Sequence, residues 1–482
     1  IKEKYMKKLA KRIACVAAAA VAAVSLITFS ACMQGPAGPA GPMGQDLDFY
    51  DLFDAVNAER AENGQSPLTV SEFVKEYFGY VSDESQQAVS EQAVMNYSLL
   101  SSVAILADYT SGSSMQHDIY SGSGVIIDID REAGDAYIVT NSHVVHEPTS
   151  REKYCDSIYV YLYGSDEMYY DYNLTTAGVI NYNGIPAEQV KLVGISFTYD
   201  LALLKVEGSE ILKNSRAVAA KFAQDELSYV GERVYAVGNP SGGGLSVSSG
   251  IISRDSETIS LEIDEMRDYR VMRTDASING GNSGGGLFNM DGEIVGIVNS
   301  GAASVLDGEE IIDIDNISYA LPSSYSRRVI QTMIDSYESG ASNLQTVGKM
   351  MLGVTSTVSG TYSYYDAERG VAVIEETITV QQVQNGSAAF RVLKGNDVIK
   401  GFAVGKSDIT QSYCSATQEP TFTIPENSNT VAEHYFEFDV TRQYQIQDAM
   451  FSVRTGDTVR LTIERDGTTM YAYILYDNSY SY

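Results

Sequence analysis

One segment decides how this chain folds: Gly280-Gly281-Asn282-Ser283-Gly284-Gly285, which sets a serine among glycines. Two earlier segments supply groups that such a serine needs. Thr140-Asn141-Ser142-His143-Val144-Val145 carries an imidazole, and Tyr199-Asp200-Leu201-Ala202-Leu203-Leu204 carries a carboxylate at the start of an apolar run. A serine hydroxyl is a poor nucleophile at neutral pH. An imidazole must therefore take its proton, and a carboxylate must fix the tautomer of that imidazole.

The sequence predicts His143 as the base, Asp200 as the orienting carboxylate and Ser283 as the nucleophile. The glycines beside the serine let the backbone turn, so that the N–H groups of Gly281 and Ser283 can converge on a developing oxyanion. Each segment alone is weak, and it is their order and context together that carry the prediction. The alternative is that three unrelated fragments lie in a noncatalytic β protein.

A longer stretch around the serine, Thr274–Leu287, resembles the nucleophile segment of the HtrA (DegP-like) family of serine proteases. The order His, Asp, Ser is that of chymotrypsin-like proteases. The resemblance spans roughly residues 95 to 335 and includes three further segments: Gly122–Ile127, Asp200–Val206 and Val237–Pro240. It implies a mainly β fold, a chymotrypsin-like double β-barrel with the catalytic residues in the cleft between the barrels. Many short apolar runs between glycine-rich turns agree with this architecture.

The specificity pocket of this protease class is lined by residues just ahead of the serine. Cleavage after Lys or Arg would need an acid there, whereas this chain has Ser277 at that position and apolar Ile278 beside it. A small or medium apolar side chain before the scissile bond is the expected fit. Two departures from the family pattern are local. Gly280 stands where a proline or another larger residue is usual, and an insertion of about residues 163–188 separates the histidine and aspartate segments.

Residues 348–482 resemble a PDZ domain, most clearly over Arg454–Gly467. The resemblance places a carboxylate-binding loop at Met351-Leu352-Gly353-Val354. There, backbone N–H groups would hold a peptide C-terminus while the peptide adds a strand to the sheet. A stretch of about residues 408–444 is longer than a minimal PDZ domain needs. The alternative is a β domain that packs on the protease and binds nothing.

The first 32 residues resemble a bacterial lipoprotein signal. Four basic residues lie from Lys7 to Arg12, the uncharged segment Ile13–Ala31 is mostly apolar, and Cys32 follows as the lipid-accepting residue. The competing interpretation is an uncleaved membrane anchor, since such a segment can nearly span a bilayer. Either interpretation predicts export and a tether to the cell membrane, with the catalytic domain on the extracellular or periplasmic side.

Composition and pattern suggest the remaining boundaries. Residues 33–47 form a collagen-like Gly-Pro spacer with glycine at every third position. Residues 48–94 are predicted to be a helical region, 95–337 the protease domain and 338–347 a linker. The spacer is expected to lift the enzyme off the membrane. The alternative is that it aligns three chains, because HtrA-like proteases are usually trimers, and a homotrimer is expected on the same ground.

The formal net charge of −30 argues against nucleic acid or anionic lipid as the main partner. Cys155 and Cys414 are predicted to be free thiols, with a disulfide between them as the alternative for an exported protein. His146 is predicted to lie at the surface, because no further metal ligands stand near it. No metal site and no cofactor are expected.

These patterns together predict an exported, membrane-tethered serine endopeptidase of HtrA type that cleaves unfolded or misfolded proteins. Its expected partners are unfolded protein or peptide substrates, and peptide C-termini at the PDZ-like domain. The alternative is a noncatalytic chaperone or peptide-binding surface scaffold that uses the PDZ-like domain.

Overall fold

The computed structural model describes residues 49–68, 72–73, 84–111, 116–146, 154–165, 184–261, 267–301, 305–307, 310–312, 316–340, 350–367, 369–406, 409–413, 420–423 and 433–476. The predicted signal segment with Cys32, the Gly-Pro spacer and Cys414 lie outside these residues, as does most of the predicted insertion near residues 163–188. The chain divides into two compact units, Ile1–Ala93 and Val94–Tyr482. Within the described residues, no helix is both long enough and apolar enough to span a membrane.

The first unit contains helix α1, Phe49–Glu62, and the start of helix α2, Glu84–Leu100. Helical structure here agrees with the spacing of apolar residues in the sequence. Gly64 follows the first helix with a φ of 70°, a left-handed conformation that commonly ends helices. The ring of Phe53 packs edge-on against Phe73, with 5.3 Å between the ring centroids.

Six strands open the second unit: β1 (Ser102–Ser111), β2 (Gln116–Asp130), β3 (Asp135–Thr140), β4 (Ser157–Leu162), β5 (Val190–Ser196) and β6 (Leu201–Val206). They form an antiparallel sheet in the order β4-β1-β2-β3-β6-β5. Two short helices interrupt the chain here, α3 (Ser142–Val145) directly after β3 and α4 (Glu210–Lys213) after β6. Branched apolar side chains such as Ile105, Ile138 and Leu204 form a buried hydrophobic core against this sheet.

A second sheet closes into a barrel in the order β10-β11-β14-β9-β8-β7. Its strands are β7 (Arg233–Gly238), β8 (Ser246–Leu261), β9 (Arg267–Thr274), β10 (Gly286–Phe288), β11 (Ile294–Gly301) and β14 (Ser318–Pro322), and β12 (Val305–Asp307) pairs with β13 (Glu310–Ile312) beside it. Met272, Leu287 and Val298 are among the buried residues of its interior. The mainly β fold that the sequence predicts is confirmed.

Helix α5, Ser323–Glu338, follows the barrel and packs on both sheets. Its apolar residues Tyr325, Val329 and Met333 share one core cluster with Leu203 of the first sheet and Ile297 of the barrel. The apolar positions recur every three or four residues, so they lie on one face of the helix. The helix therefore joins the two sheets into one body.

The C-terminal part of the unit is a further antiparallel sheet, whose strands differ in length. Its strands are β15 (Val354–Asp366), β16 (Val371–Val383), β17 (Val398–Lys406), β20 (Glu433–Asp439), β21 (Thr458–Arg465) and β22 (Thr468–Leu475), with a separate hairpin of β18 (Thr410–Tyr413) and β19 (Pro420–Thr423). The order is β15-β16-β17-β21-β22, and β20 also pairs with β17. Helix α6, Gln443–Ala449, and a 3₁₀ turn, Met450–Ser452, cover a core that includes Ile378, Phe402 and Leu461.

The C-terminal sheet is docked on the first sheet and the barrel through α6 and the turn that follows it. Phe451 packs edge-on against Tyr199 at 4.6 Å between centroids and lies 6.1 Å from the ring of Tyr325. Its side chain belongs to the same buried cluster as α5. Asp448 pairs with Arg270 of β9, so the contact combines a buried aromatic ring, that of Phe451, with a largely buried ion pair.

We expect Phe451→Ala to lower the free energy of unfolding by about 3–5 kcal/mol, because the truncation leaves a cavity in the shared core. The measurement is a thermal melt of the full chain followed by circular dichroism. Tyr362→Ala is the control: this ring is 65% exposed, and its loss should change stability by less than about 0.5 kcal/mol. Equal melting temperatures for the two variants would contradict a buried role for Phe451.

Candidate active site

The predicted base lies on the one-turn helix α3, which follows the buried strand β3 directly. Gly122 of β2 makes room for this turn, since a Cβ there would stand 2.5 Å from Cγ1 of Val144. That close approach explains the glycine in a strand otherwise suited to larger side chains. His143 itself is half-buried, so its imidazole keeps one side open to solvent.

The predicted carboxylate stands at the entry to β6. Asp200 is 2% exposed and has a φ of 48°, a left-handed conformation that is uncommon for residues other than glycine and asparagine. The side-chain amide of Asn141 donates to the carbonyl oxygen of Asp200 at 2.8 Å and holds this turn. The conformation aims the Asp200 side chain at α3 rather than along the strand.

Four donors surround the Asp200 carboxylate. The Oδ2 atom lies 2.7 Å from Nδ1 of His143 and accepts from Nδ2 of Asn299 at 2.6 Å. The Oδ1 atom accepts from the hydroxyl of Ser142 at 2.7 Å and from the backbone N–H of His143 at 3.0 Å. A carboxylate with this many donors stays ionised even when it is removed from water.

Burial and pairing oppose each other at this pair. Burial alone would raise the pKa of Asp200, but the charge of His143 and the hydrogen bonds from His143 and Ser142 outweigh it and lower the pKa. Burial would likewise lower the pKa of His143, and the charge and hydrogen bond of Asp200 outweigh that effect and raise the pKa above 6.5. The carboxylate therefore holds the Nδ1 proton of the imidazole and leaves Nε2 free to accept another.

The predicted nucleophile lies on the loop between β9 and β10. The hydroxyl of Ser283 donates to the carbonyl oxygen of Asn299 at 2.9 Å. Its own carbonyl oxygen accepts from the N–H of Ser123 at 2.8 Å, which anchors the barrel loop to β2 of the first sheet. Among the described residues, the hydroxyl makes no hydrogen bond to His143. The serine hydroxyl must therefore exchange its bond to Asn299 for one to the imidazole before it can react.

The loop that carries the predicted oxyanion donors requires glycine at position 281. Gly281 has a φ of 99°, and a Cβ there would collide with the carbonyl oxygen of Asn239, so only glycine fits. The preceding carbonyl, on Gly280, accepts from the N–H of Ser241 at 2.7 Å. In a trans peptide the C=O and the following N–H point in opposite directions, so the Gly281 N–H faces away from Ser241.

The residues ahead of the serine differ in exposure. Ser277 is exposed and its carbonyl oxygen accepts from the hydroxyl of Ser248 at 2.8 Å, whereas Ile278 packs partly against the barrel interior. Gly280, where the family usually has a larger residue, has open space around it: a Cβ there would meet no atom within 4 Å. The small residue at this position is thus not a steric requirement of the described structure.

His146 corrects the sequence analysis. It was predicted to lie at the surface, but it is 1% exposed, its ring lies 4.7 Å from that of Phe197, and it forms a β-bridge with Tyr154. No local sequence pattern indicates this bridge to Tyr154 or the ring contact with Phe197. Cys155, beside this bridge, is unpaired within the described residues, and burial raises the pKa of its thiol to about 12.

Sequence reasoning missed two donors to the site, Ser142 and Asn299. Ser142 stands next to the histidine in the sequence, but the sequence does not indicate that its hydroxyl binds Asp200. Asn299 ends the apolar run of β11, and a polar residue at the end of such a strand was the only available signal.

The predicted carboxylate-binding loop precedes β15 in the C-terminal sheet. Met351 is exposed and Leu352 is buried, while the carbonyl oxygen of Gly353 accepts from the N–H of Gln384 at 2.8 Å and Val354 begins the strand. Among the described strands, β15 pairs with β16 alone and so lies at the edge of its sheet. The side-chain amide of Gln443, on α6, donates to the carbonyl oxygen of Ser356 on this strand at 3.0 Å.

We expect the ionic pair to give the chain a pH-dependent stability. The folded pKa of His143 lies above 6.5, so the stabilisation is complete below about pH 6.5 and is lost as the pH rises through the folded value. The free energy of unfolding of wild type should exceed that of His143→Ala by the largest amount near pH 6 and by the smallest near pH 9. The loss is about 1.4 kcal/mol for each unit of the pKa shift. Thermal melts at both pH values measure it, and a difference that is independent of pH would contradict the pairing.

Comparison with known proteins adds to this geometry. Residues 122–297 match the trypsin-like peptidase domain family. Serine protease Do-like HtrA of Bacillus subtilis is 30% identical over 64% of this chain and 60% of its own length. The Lactococcus lactis protein of the same name is 28% identical over 78% of this chain and 77% of its own length. Periplasmic serine endoprotease DegP of Escherichia coli is 32% identical over 60% of this chain and 49% of its own length.

The chain thus spans less than two thirds of the Bacillus subtilis and Escherichia coli relatives that it matches. The matched segment nevertheless contains the histidine, the aspartate and the serine described above. The chain carries a trypsin-like peptidase domain and is homologous to the HtrA and DegP serine proteases.

Proposed function

We propose that this protein is a serine endopeptidase in which Ser283 attacks the peptide bond, His143 transfers the proton and Asp200 orients the imidazole. The observation that carries the proposal is the 2.7 Å contact between Asp200 and the Nδ1 atom of His143, in a peptidase domain whose nucleophile loop is anchored to the same sheet. This contact prepares the imidazole to accept a proton at Nε2.

The reaction follows from these positions. The Ser283 hydroxyl turns from Asn299 to His143, its proton passes to Nε2, and Oγ bonds to the substrate carbonyl carbon. The N–H groups of Gly281 and Ser283 receive the negative charge that develops on the substrate oxygen. The imidazolium then gives its proton to the departing amine as the C–N bond breaks. Water releases the acyl group by the same sequence of proton transfers.

Substrate selection rests on the pocket and on the kind of chain that can enter it. An uncharged Ser277 and an apolar Ile278 suit small or medium apolar side chains before the scissile bond. A protease must hold its substrate in an extended form, which an unfolded or misfolded protein offers most readily. The proposed substrates are therefore unfolded proteins.

Export, lipid attachment at Cys32 and assembly as a homotrimer complete the proposal. They are supported by the basic and apolar N-terminal segment that ends at this cysteine and by the Gly-Pro spacer that follows it. DegP of Escherichia coli is named as periplasmic, which agrees with export. The tether would leave the catalytic domain on the outer side of the cell membrane.

The C-terminal sheet is proposed to bind peptide C-termini at its free β15 edge. The loop Met351-Leu352-Gly353-Val354 would receive the carboxylate, and the peptide would pair with the strand that follows. Gln443 already donates to one carbonyl oxygen of that edge, so its side chain competes with the backbone of the incoming peptide. A peptide can therefore bind the Ser356 carbonyl oxygen only if the hydrogen bond from Gln443 breaks.

We expect Ser283→Ala to abolish cleavage of unfolded casein and labelling by a fluorophosphonate, because the attacking hydroxyl is gone. His143→Ala should do nearly the same, and Asp200→Asn should leave a small residual activity. Release of casein fragments over time is the measurement. Cleavage of casein by the Ser283→Ala protein at the wild-type rate would refute the mechanism. Binding of casein by the wild-type protein without cleavage would favour the chaperone or scaffold alternative.

The same assay should show an acid limb governed by His143. Only the neutral imidazole accepts the serine proton, so kcat/KM should rise with pH and reach half its maximum above pH 6.5. A midpoint well below this value would show that Asp200 does not raise the pKa of the imidazole.

We expect Gln443→Ala to bind a peptide with a free C-terminal valine several-fold more tightly than the parent chain, because the Ser356 carbonyl oxygen becomes available. The measurement is calorimetric titration of the full chain carrying Ser283→Ala, which prevents cleavage. The matched control is Gln447→Ala, an exposed residue of the same helix, which should leave the affinity unchanged. Equal binding of the acid and amide forms of the peptide would exclude carboxylate capture.

A further inference from the structure

Strands β15 and β16 continue together beyond the sheet to which they belong. β16 pairs with β17 only at Ile378 and Thr379, whereas its pairing with β15 extends over the whole of Val354–Asp366. The outer part of this pair, residues 360–366 with residues 371–377, is the distal ribbon. A two-stranded ribbon is only marginally stable in water on its own, so other contacts must hold it in place.

The distal ribbon is held at its base and at its tip. At the base, the carboxylate of Glu376 binds Arg442, with 3.2 Å between Oε1 and Nε, and accepts from the N–H of Gln443 at 2.8 Å. At the tip, the guanidinium of Arg369 donates to the hydroxyl of Tyr229, in the loop ahead of β7, at 3.3 Å. The ribbon therefore has a defined position, and so do the side chains that it exposes.

The outer edge of the distal ribbon lacks the features that usually protect an edge strand. From Val354 to Tyr365 the chain has no charged residue and no proline. The register with β16 shifts twice before Gly360 but not between Gly360 and Asp366. Charges, prolines and bulges are the devices by which natural proteins block the addition of a further strand. The regular part of this edge is thus suited to pair with another chain.

One face of the distal ribbon carries two exposed tyrosine rings and a carboxylate. Tyr362 lies opposite Glu375 in the register, and Tyr364 follows two residues later, so the three side chains share a face. The two rings stack with 5.6 Å between their centroids, and the hydroxyl of Tyr364 donates to Oε1 of Glu375 at 2.9 Å. Within the part of the chain that the structure describes, no lysine or arginine pairs with Glu375. The face therefore offers two aromatic surfaces and a negative charge to a cation.

We propose that the distal ribbon is a second polypeptide-binding site, which adds an extended segment to its outer edge and seats a lysine or arginine of that segment over Tyr362 and Tyr364, beside Glu375. A side chain directly opposite a tyrosine on the added strand lies close enough to cover its ring. The ring face attracts the cation, and the net charge of −30 draws basic segments towards this chain. The site needs neither Ser283 nor a free peptide C-terminus.

The charges favour a different polypeptide over a second copy of this chain. Two copies could pair through the same edge, but β15 has no lysine or arginine to place over the rings of its partner. Each copy also carries the same net charge of −30, which opposes their approach. An unfolded basic segment meets neither obstacle.

The test is calorimetric titration of the full chain carrying Ser283→Ala with an octapeptide of alternating lysine and valine, acetylated and amidated at its ends. We expect the joint change Tyr362→Thr and Tyr364→Thr to weaken binding about fivefold or more, because both ring faces are lost while threonine still suits a strand. The matched control is Tyr471→Thr, an exposed tyrosine on β22 at the opposite edge of the sheet, which should leave the affinity unchanged. Equal affinities for the tyrosine-pair variant and its parent would overturn the proposal.

Two further peptides test the charge and the strand separately. An octapeptide with glutamate in place of lysine should bind far more weakly, and one with two consecutive prolines at its centre should not bind, because one of the missing N–H groups faces β15. Glutamate and lysine peptides of equal affinity would contradict the cation seat. A wild-type dimer in sedimentation that the tyrosine-pair variant does not form, without peptide binding, would assign the edge to a second copy and overturn the proposal.

A measurement on the Ser283→Ala parent removes any dependence on the folding of the variants. The lysine-valine peptide with a benzophenone at one valine should crosslink to residues 360–366, and adducts found only elsewhere would overturn the proposal. The amidated end excludes carboxylate capture at the loop before β15. Since no turnover is measured, binding at the distal ribbon stands even if wild type cleaves no casein, and its absence leaves the peptidase proposal intact.

Discussion

The buried carboxylate of Asp200 is the constraint around which the active region is arranged. An ion at 2% exposure must recover in hydrogen bonds what it loses in hydration, and the donors come from separate places in the chain. Ser142 and His143 belong to the turn after β3, while Asn299 belongs to the barrel. Because one side chain requires donors from both sheets, the sheets have a defined relative position at the point where the chemistry is proposed to occur.

The same arrangement explains which parts of the site could be predicted from the sequence. His143, Asp200 and Ser283 were identified because each carries a functional group that the chemistry requires, within segments of recognisable composition. Asn299 could not be identified in this way. Its role depends on a shift of register between two strands, and such a shift arises from pairing partners that are distant in sequence. His146 was misjudged for a related reason, since its burial depends on a bridge to Tyr154 rather than on its neighbours.

The fold was predictable at the level of strands because alternating or continuous apolar runs between glycine-rich turns have few other solutions. The docking of the C-terminal sheet was not. Arg442 pairs with Asp255 of β8 and also with Glu376 of β16, and Arg270 stacks over Tyr444 at 4.1 Å. Charged and aromatic residues of this kind also occur on ordinary surfaces, and no sequence pattern separates a docked set from a solvated one.

Helix α6 consequently faces in two directions. One end of it, at Gln443, lies against the edge strand of the C-terminal sheet, while Asp448 and the following Phe451 are held by the protease sheets. A fragment that ended before residue 350 would leave Tyr199 and Tyr325 facing water, with a vacant hollow where the Phe451 ring had been. Such a fragment would expose an aromatic surface at Tyr199, the residue directly before Asp200. The C-terminal sheet therefore completes the apolar core of the peptidase fold as well as forming a domain of its own.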